Sequence, residues 1–187
     1  FPSVYVFPGG RVDAQDGAVG VASPLSPAVV ELVGRSADPA FAHALAIAAV
    51  RETFEETGLL IGGDGDVGDV DGETWSRVRA MGLAPALDCL DYIGRATTPE
   101  TRPIRFHARF FLTRVENAIG TLTGNGELHD LRWVLLSEAR ALPMLDVTEF
   151  MIGEIQRFVE EPLQTPRPER KPRWFTYVNG TSSIADD

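Results

Sequence analysis

Arg51-Glu52-Thr53-Phe54-Glu55-Glu56-Thr57-Gly58-Leu59 packs three carboxylates and a guanidinium into a turn and a half of one helix. At about 100° per residue, Glu52, Glu55 and Glu56 fall at i, i+3 and i+4, so they share a face. Like charges that close repel, and the cluster therefore asks for a positive partner. Mg²⁺ or Mn²⁺ suits it, because hard cations prefer carboxylate oxygens and usually keep waters as well. Arg51 pairs with a carboxylate of the cluster; whether that is a plain i, i+4 contact with Glu55 or part of the chemistry stays open. Gly58 then stands where a left-handed residue stops a helix, and Leu59-Leu60-Ile61 begins a buried segment.

The elements that must carry this cluster follow from turn chemistry and periodicity. Val4-Tyr5-Val6-Phe7 reads as a short strand ending in Pro8-Gly9-Gly10, a turn whose glycines let backbone approach a ligand or metal. A short helix is predicted over 27–34. Asp38 as N-cap and Pro39 as first helical residue open the long helix that ends at Gly58. Ala42, Leu45, Ala46, Ala49 and Phe54 give it a buried face. Gly62 to Gly72 is a Gly- and Asp-rich loop. Its spacing fails as a calcium loop, since Asp69 stands where a glycine is needed and Trp75 where the last glutamate is needed. Glu73 to Met81 is a second helix.

Ile104 to Phe110 alternates with period two and is predicted as a strand. Ile104, Phe106, Ala108 and Phe110 face one way; Arg105, His107 and Arg109 face the other. That basic side is either solvated or a phosphate-holding surface, since arginine offers a bidentate fork to phosphate oxygens. His107 by itself reads as a structural histidine. Leu131 to Leu136 reads as a further strand, and Ser137 as the cap of a short helix that breaks at Pro143. Asp146 and Glu149 form a capping box for a last helix to about Glu161, with Phe150, Met151, Ile155 and Phe158 inward. Pro162 to Pro172 is irregular. Trp174 to Val178 adds an edge strand or covers one.

Composition bounds the function classes. With 187 residues, 44% hydrophobic and 24% charged, the chain suits one compact enzyme domain. No apolar run approaches the roughly 20 residues needed to span a bilayer, so a membrane partner is not expected. A net charge of −10 argues against a nucleic-acid partner. A small anionic substrate remains compatible, because a metal can supply local positive charge. The lone Cys89 excludes an internal disulfide framework and favours a reducing, cytoplasmic setting.

Phe7-Pro8-Gly9-Gly10-Arg11-Val12-Asp13 and the Arg51 to Leu59 stretch together resemble the signature of the Nudix hydrolases. That signature is a glycine, five residues, an acid, seven residues, then Arg-Glu-apolar-x-Glu-Glu-x-Gly-apolar. Counting from Gly10, the acid falls on Asp16, where the family usually has glutamate. The Arg-Glu pair would then begin at position 24; it begins at Arg51, 27 residues later. Thr53 replaces the commoner aliphatic residue. An interruption here, with Asp13, Asp16 and the Arg95 to Leu112 segment, is similar to the coenzyme A diphosphatase subgroup.

The resemblance implies an α/β (α+β) fold of the Nudix type, an α/β/α sandwich with a mixed β-sheet. It implies a single domain over 1–187 with residues 17–38 as an insertion within the motif, packed outside the catalytic helix, and an N-terminal strand missing from the chain as given. The implied metal shell is Gly10, through its backbone, with Glu52, Glu55 and Glu56. The implied catalytic set is Arg51, Glu52, Glu55 and Glu127, and the residue that acts as base is left open between the glutamates of the cluster and Glu127. Glu127 as a plain surface residue is an equal alternative. Arg105, Arg109 and Arg11 are the implied substrate-binding residues.

The reaction implied is metal-dependent cleavage of coenzyme A or acyl-coenzyme A to 3′,5′-ADP and phosphopantetheine. Two alternatives remain: a pyrophosphatase acting on ADP-ribose, NADH or a dinucleoside polyphosphate, and a Nudix-fold binding module without turnover. The partner is a small nucleotide, and a homodimer is compatible with the reading.

Overall fold

A computed structural model describes residues 4–35, 37–101, 103, 105–160 and 171–187. In chain order its elements are α1 (Pro27–Gly34), α2 (Pro39–Thr57), β1 (Leu59–Asp64), α3 (Glu73–Ala80), β2 (Leu83–Pro85), β3 (Asp91–Thr97), β4 (His107–Leu112), β5 (Ala118–Gly120), α4 (Leu136–Ala139), α5 (Asp146–Glu160), β6 (Arg173–Val178) and β7 (Thr181–Asp186). This is an α+β fold with two sheets. The chain divides into two compact units, one of Pro8–Asp91 and Thr113–Trp133, the other of Phe1–Phe7, Tyr92–Leu112 and Val134–Asp187.

The first unit is built around α2. Ser26 caps α1 by accepting from Val29 N–H at 3.3 Å, and Pro27 takes the first helical position. Val29 and Val33 are buried, and α1 packs on α2. Before α1 the segment is pinned by backbone bonds, Gly20 N–H to Val67 carbonyl and Ala22 N–H to Pro85 carbonyl, both at 2.8 Å. α2 begins at Pro39 as expected. Its buried residues include Ala42, Ala46 and Phe54; Leu45 and Ala49 are only half-buried, while Ile47 and Val50 are fully covered.

Gly58 ends α2 at φ 76°, and a Cβ there would lie 2.5 Å from Thr123 Oγ1 and 2.8 Å from the Thr121 carbonyl. Only glycine fits. The chain then enters β1, which pairs antiparallel with β2 on one side and β5 on the other. Leu60 and Ile61 lie buried there, as expected of the segment after the helix.

The second unit holds a four-stranded mixed sheet in the order β4-β3-β6-β7. β3 runs parallel to β6, and β6 antiparallel to β7. Ala96, Met151 and Phe175 form its core, with Phe110, Val147, Phe150 and Tyr177 packed around them. Among the described residues no helix is long and apolar enough to cross a membrane.

Several expectations are corrected. Residues 4–7 form no strand; Tyr5 makes a single parallel bridge to Met144. Residues 131–135 are irregular, with Trp133 68% and Leu135 66% exposed: the apolar run finds no strand partner. α4 starts at Leu136, so Ser137 lies inside it and is not its cap. Asp146 is the first residue of α5 rather than a cap, because the Leu145 carbonyl accepts from Thr148 and Glu149. The basic strand begins at His107, leaving Arg105 before it, and Ile104 lies outside the described residues. Trp174 to Val178 is interior to its sheet, and β7 forms the edge. Most of the 162–172 stretch also lies outside the described residues.

Candidate functional site

Arg51 is the hub of the acidic cluster. It is 6% exposed, and its Nε donates to Asp16 Oδ1 at 3.0 Å while Nη2 donates to Asp16 Oδ2 at 3.1 Å. Asp16 is fully buried in a single 3-10 turn, Asp16–Ala18, and also accepts from Asp13 N–H at 2.8 Å. Such a fork-to-fork pair fixes the guanidinium in direction as well as in charge. Nη2 further donates to the Arg11 carbonyl at 2.7 Å, so Arg11 enters the site through its backbone, with its side chain exposed. Nη1 reaches Glu52 Oε1 at 2.8 Å and Glu55 Oε2 at 3.3 Å. Burial works against the Arg51 charge, but the bonds to Asp16 and Glu52 outweigh it and hold the group firmly protonated.

The glycine turn lies against the same face of α2. Gly9 N–H donates to Glu56 Oε2 at 2.9 Å. A Cβ on Gly10 would collide with the Glu52 carboxyl group. Glycine here allows backbone and carboxylate to meet. Gly10 thus lies against a helical glutamate, and α1 packs beside α2.

The cluster carries the repulsion its spacing implies. Burial raises the Glu52 pKa, and the charges of Glu55 and Asp13 add to this against the stabilising pull of Arg51. Burial likewise raises Glu56; the Gly9 bond opposes the shift, while Glu52, Glu127 and Glu55 reinforce it. Glu127, exposed on its own turn, is therefore near enough for Glu56 to feel its charge. Glu55 accepts a bond on Oε1 from Thr74 Oγ1 at 2.5 Å, a partner the sequence reading did not foresee. Thr53, at the usual aliphatic position, turns its hydroxyl back to the Ala49 carbonyl at 2.7 Å, which gives its donor a partner within the helix.

Among the described residues, no three His, Cys, Asp or Glu side chains converge into a ready-made metal cage. The geometry gives the reason. Glu52 Oε1 and Glu55 Oε2 both point at Arg51 Nη1, and Glu56 Oε2 points at Gly9 N–H. A hydrated divalent cation needs only one or two protein carboxylates beside waters and substrate phosphates. The donor set fits such an ion and not a closed all-protein site.

A Nudix hydrolase from Alicyclobacillus acidocaldarius is 30% identical to this chain, with a TM-score of 0.52, over 81% of this chain and 75% of that one. The chain belongs to the Nudix hydrolase family. No family profile matches the chain. No curated protein matches it either.

The basic strand of this Nudix chain lies in the other unit. Arg95 Nε donates to Asp187 Oδ1 at 2.6 Å, and its guanidinium stacks 4.0 Å over the Trp174 ring. Arg95 Nη1 also lies 2.9 Å from His107 Nε2. Arginine cannot accept, so Nε2 must, and His107 is neutral with its proton on Nδ1. Arg109 Nη1 donates to the His107 carbonyl at 3.2 Å. The cations are thus Arg95 and Arg109, with neutral His107 between them, and exposed Arg105 precedes the strand. Arg95 does not stand out in the sequence, because its partners are 12 and 92 positions away.

Burial, then the charges of Arg109 and Arg95, push the His107 pKa down from 6.5 to about 4. On acidification the unfolded chain takes up this proton near pH 6.5 and the folded chain only near pH 4. Folding stability from this residue is therefore full above the window and declines as pH falls through it. Denaturant midpoints at pH 7 and pH 4.5 should separate more for the parent than for His107→Gln, which keeps an acceptor for Arg95 and has no proton to gain. Equal separation would show that His107 does not carry the effect.

Proposed function

We propose that this chain hydrolyses the P–O–P anhydride of a nucleoside diphosphate derivative with Mg²⁺ or Mn²⁺, and that its substrate is coenzyme A or acyl-coenzyme A. The observation that carries the reaction class is the clamped cluster: Glu52, Glu55 and Glu56 gathered against Gly9 and Gly10 by an Arg51 that Asp16 anchors. A divalent cation held by these carboxylates and the Gly10 backbone supplies charge neutralisation and activation of water. Water oxygen attacks phosphorus, the anhydride P–O bond breaks, and the leaving phosphate takes the electron pair. In this reading Glu127 accepts the proton, being exposed and close enough to influence Glu56. Arg51 keeps two carboxylates aligned rather than touching substrate.

Two features support coenzyme A over other diphosphates: residues 17–38 interrupt the motif between Asp16 and Arg51, and the cations Arg95 and Arg109 suit a 3′-phosphate. Nucleic acid and membrane have no part in this reading, and its setting is a reducing cytoplasm. A screen of Mg²⁺- and Mn²⁺-dependent hydrolysis should give 3′,5′-ADP from coenzyme A at the highest kcat/KM among coenzyme A, ADP-ribose, NADH and dinucleoside polyphosphates. Preference for one of the others overturns the substrate assignment. No turnover with any of them favours the binding-module alternative.

If Arg109 contacts the 3′-phosphate, Arg109→Ala loses a charge-assisted bond on the order of 1.5–3 kcal/mol, about ten- to a hundredfold in kcat/KM. The loss should appear with coenzyme A and be absent with 3′-dephospho-coenzyme A, which has no such group. Equal loss on both would assign the arginine to the shared diphosphate.

A further inference from the structure

We propose that Thr74 is a positioning residue that holds the Glu55 carboxylate in place for the divalent cation; this rests on the hydrolase reading above. Glu55 is the most solvent-accessible of the two glutamates that Arg51 grips, its side chain 32% exposed against 16% for Glu52. A long carboxylate at that exposure samples several rotamers unless both ends of its fork are tied. Both are tied here. Arg51 Nη1, from the same helix, holds Oε2 at 3.3 Å, and Thr74 Oγ1, from the first turn of α3, holds Oε1 at 2.5 Å.

Arg51 is a poor candidate to position Glu55 alone, because the same Nη1 also binds Glu52 Oε1 at the shorter 2.8 Å. An arriving cation competes with that shared guanidinium for both oxygens. The hydroxyl of Thr74 is neutral, so it is not repelled by a cation and can keep Oε1 oriented while Oε2 changes partner.

α3 is rigid enough to aim this bond. Trp75 and Val78 are buried, and the Arg77 guanidinium stacks 4.9 Å over the ring of Phe54, the residue before Glu55. Arg79 Nη2 donates to the Gly68 and Val70 carbonyls at 2.6 and 2.9 Å, which fastens the loop leading into α3. Asp71 N–H donates to Gln15 Oε1 at 2.8 Å, one residue from Asp16. The loop before α3, the Asp16 turn and the acidic face of α2 are therefore joined by named bonds within one unit.

The test is Mn²⁺ binding without substrate, measured as free Mn²⁺ by electron paramagnetic resonance, on the parent, Thr74→Val, Thr74→Ser and Glu56→Gln. Valine keeps the shape and removes the donor; serine keeps the donor. Thr74→Val should weaken Mn²⁺ about ten- to a hundredfold, the range typical of lost outer-shell partners, and serine should restore the parent value. Metal-free melting of Thr74→Ser should match the parent and that of Thr74→Val should fall only modestly, so that both stay folded, and kcat of Thr74→Val should recover at saturating Mn²⁺. Parent-like Mn²⁺ affinity in Thr74→Val, while Glu56→Gln loses it, overturns the role of Thr74 alone. Absence of Mn²⁺ binding in the parent overturns the metal reading and this inference with it.

Discussion

Glu56→Gln should lose most metal-dependent turnover and remain folded. The glutamine keeps an oxygen for Gly9 N–H, which Glu56 Oε2 now accepts at 2.9 Å, so the contact between turn and helix survives. What disappears is the charge that attracts the cation. A bound metal contributes several kcal/mol of charge stabilisation in the transition state, and about 3 kcal/mol corresponds to roughly a hundredfold in kcat. Stability without metal moves the other way. Burial and the neighbouring charges of Glu52, Glu127 and Glu55 raise the Glu56 pKa, so its ionised form disfavours the fold near neutral pH. Removing that charge should raise the metal-free melting temperature while abolishing stabilisation by added Mg²⁺. Full turnover at low Mg²⁺ would remove Glu56 from the metal site, and Glu55→Gln, with the same loss expected, provides a second check.

The site was legible where its signals are local. Glu52, Glu55 and Glu56 share a face because of helical spacing, and that spacing survives whatever packs around it. The boundaries of α1, at Pro27 and Gly34, and the stop at Gly58 were equally legible, since capping and left-handed glycine act within a few residues. Asp16 stood at the motif position for an acid, but its burial and its hold on Arg51 are tertiary facts.

What failed to show depended on partners far along the chain. Leu131 to Leu136 has strand-like composition, yet composition fits a half-buried surface only if a neighbouring strand supplies one. Here Trp133 and Leu135 face outward instead. Thr74 and Glu55 are 19 residues apart, and Arg95 and Asp187 are 92 apart; no periodicity links them. β7 is a different failure, because its signal was present. Asn179-Gly180, with φ of 52° and 80°, joins Val178 to Thr181 as a two-residue hairpin turn. Reading that dipeptide would have turned Trp174 to Val178 from an edge strand into an interior one.

A large stability effect should come from Asp16→Ala. Asp16 is fully buried, and both of its carboxylate oxygens accept from Arg51, at 3.0 and 3.1 Å, while Oδ2 also takes the Asp13 N–H at 2.8 Å. Removing one partner of a buried pair leaves the other charge uncompensated, at a cost of about 3–5 kcal/mol. For a chain of this length that corresponds to a drop in melting temperature of roughly 10 °C. Arg51 would keep Glu52, Glu55 and the Arg11 carbonyl as partners, which sets the effect toward the lower end of that range. Asp16→Asn keeps the volume and one acceptor, so it should lose less stability than alanine while still releasing the guanidinium to swing toward Glu52. Arg51→Met tests the same pair from the other side: it deletes the cation that holds Asp16, Glu52 and Glu55 together, and it should destabilise at least as much as Asp16→Ala. The double variant Asp16→Ala with Arg51→Met should cost clearly less than the sum of the singles, because the second deletion removes a charge the first has stranded. Additive losses in denaturant melts would mean that the two residues act independently, and the anchoring of Arg51 by Asp16 would have to be abandoned.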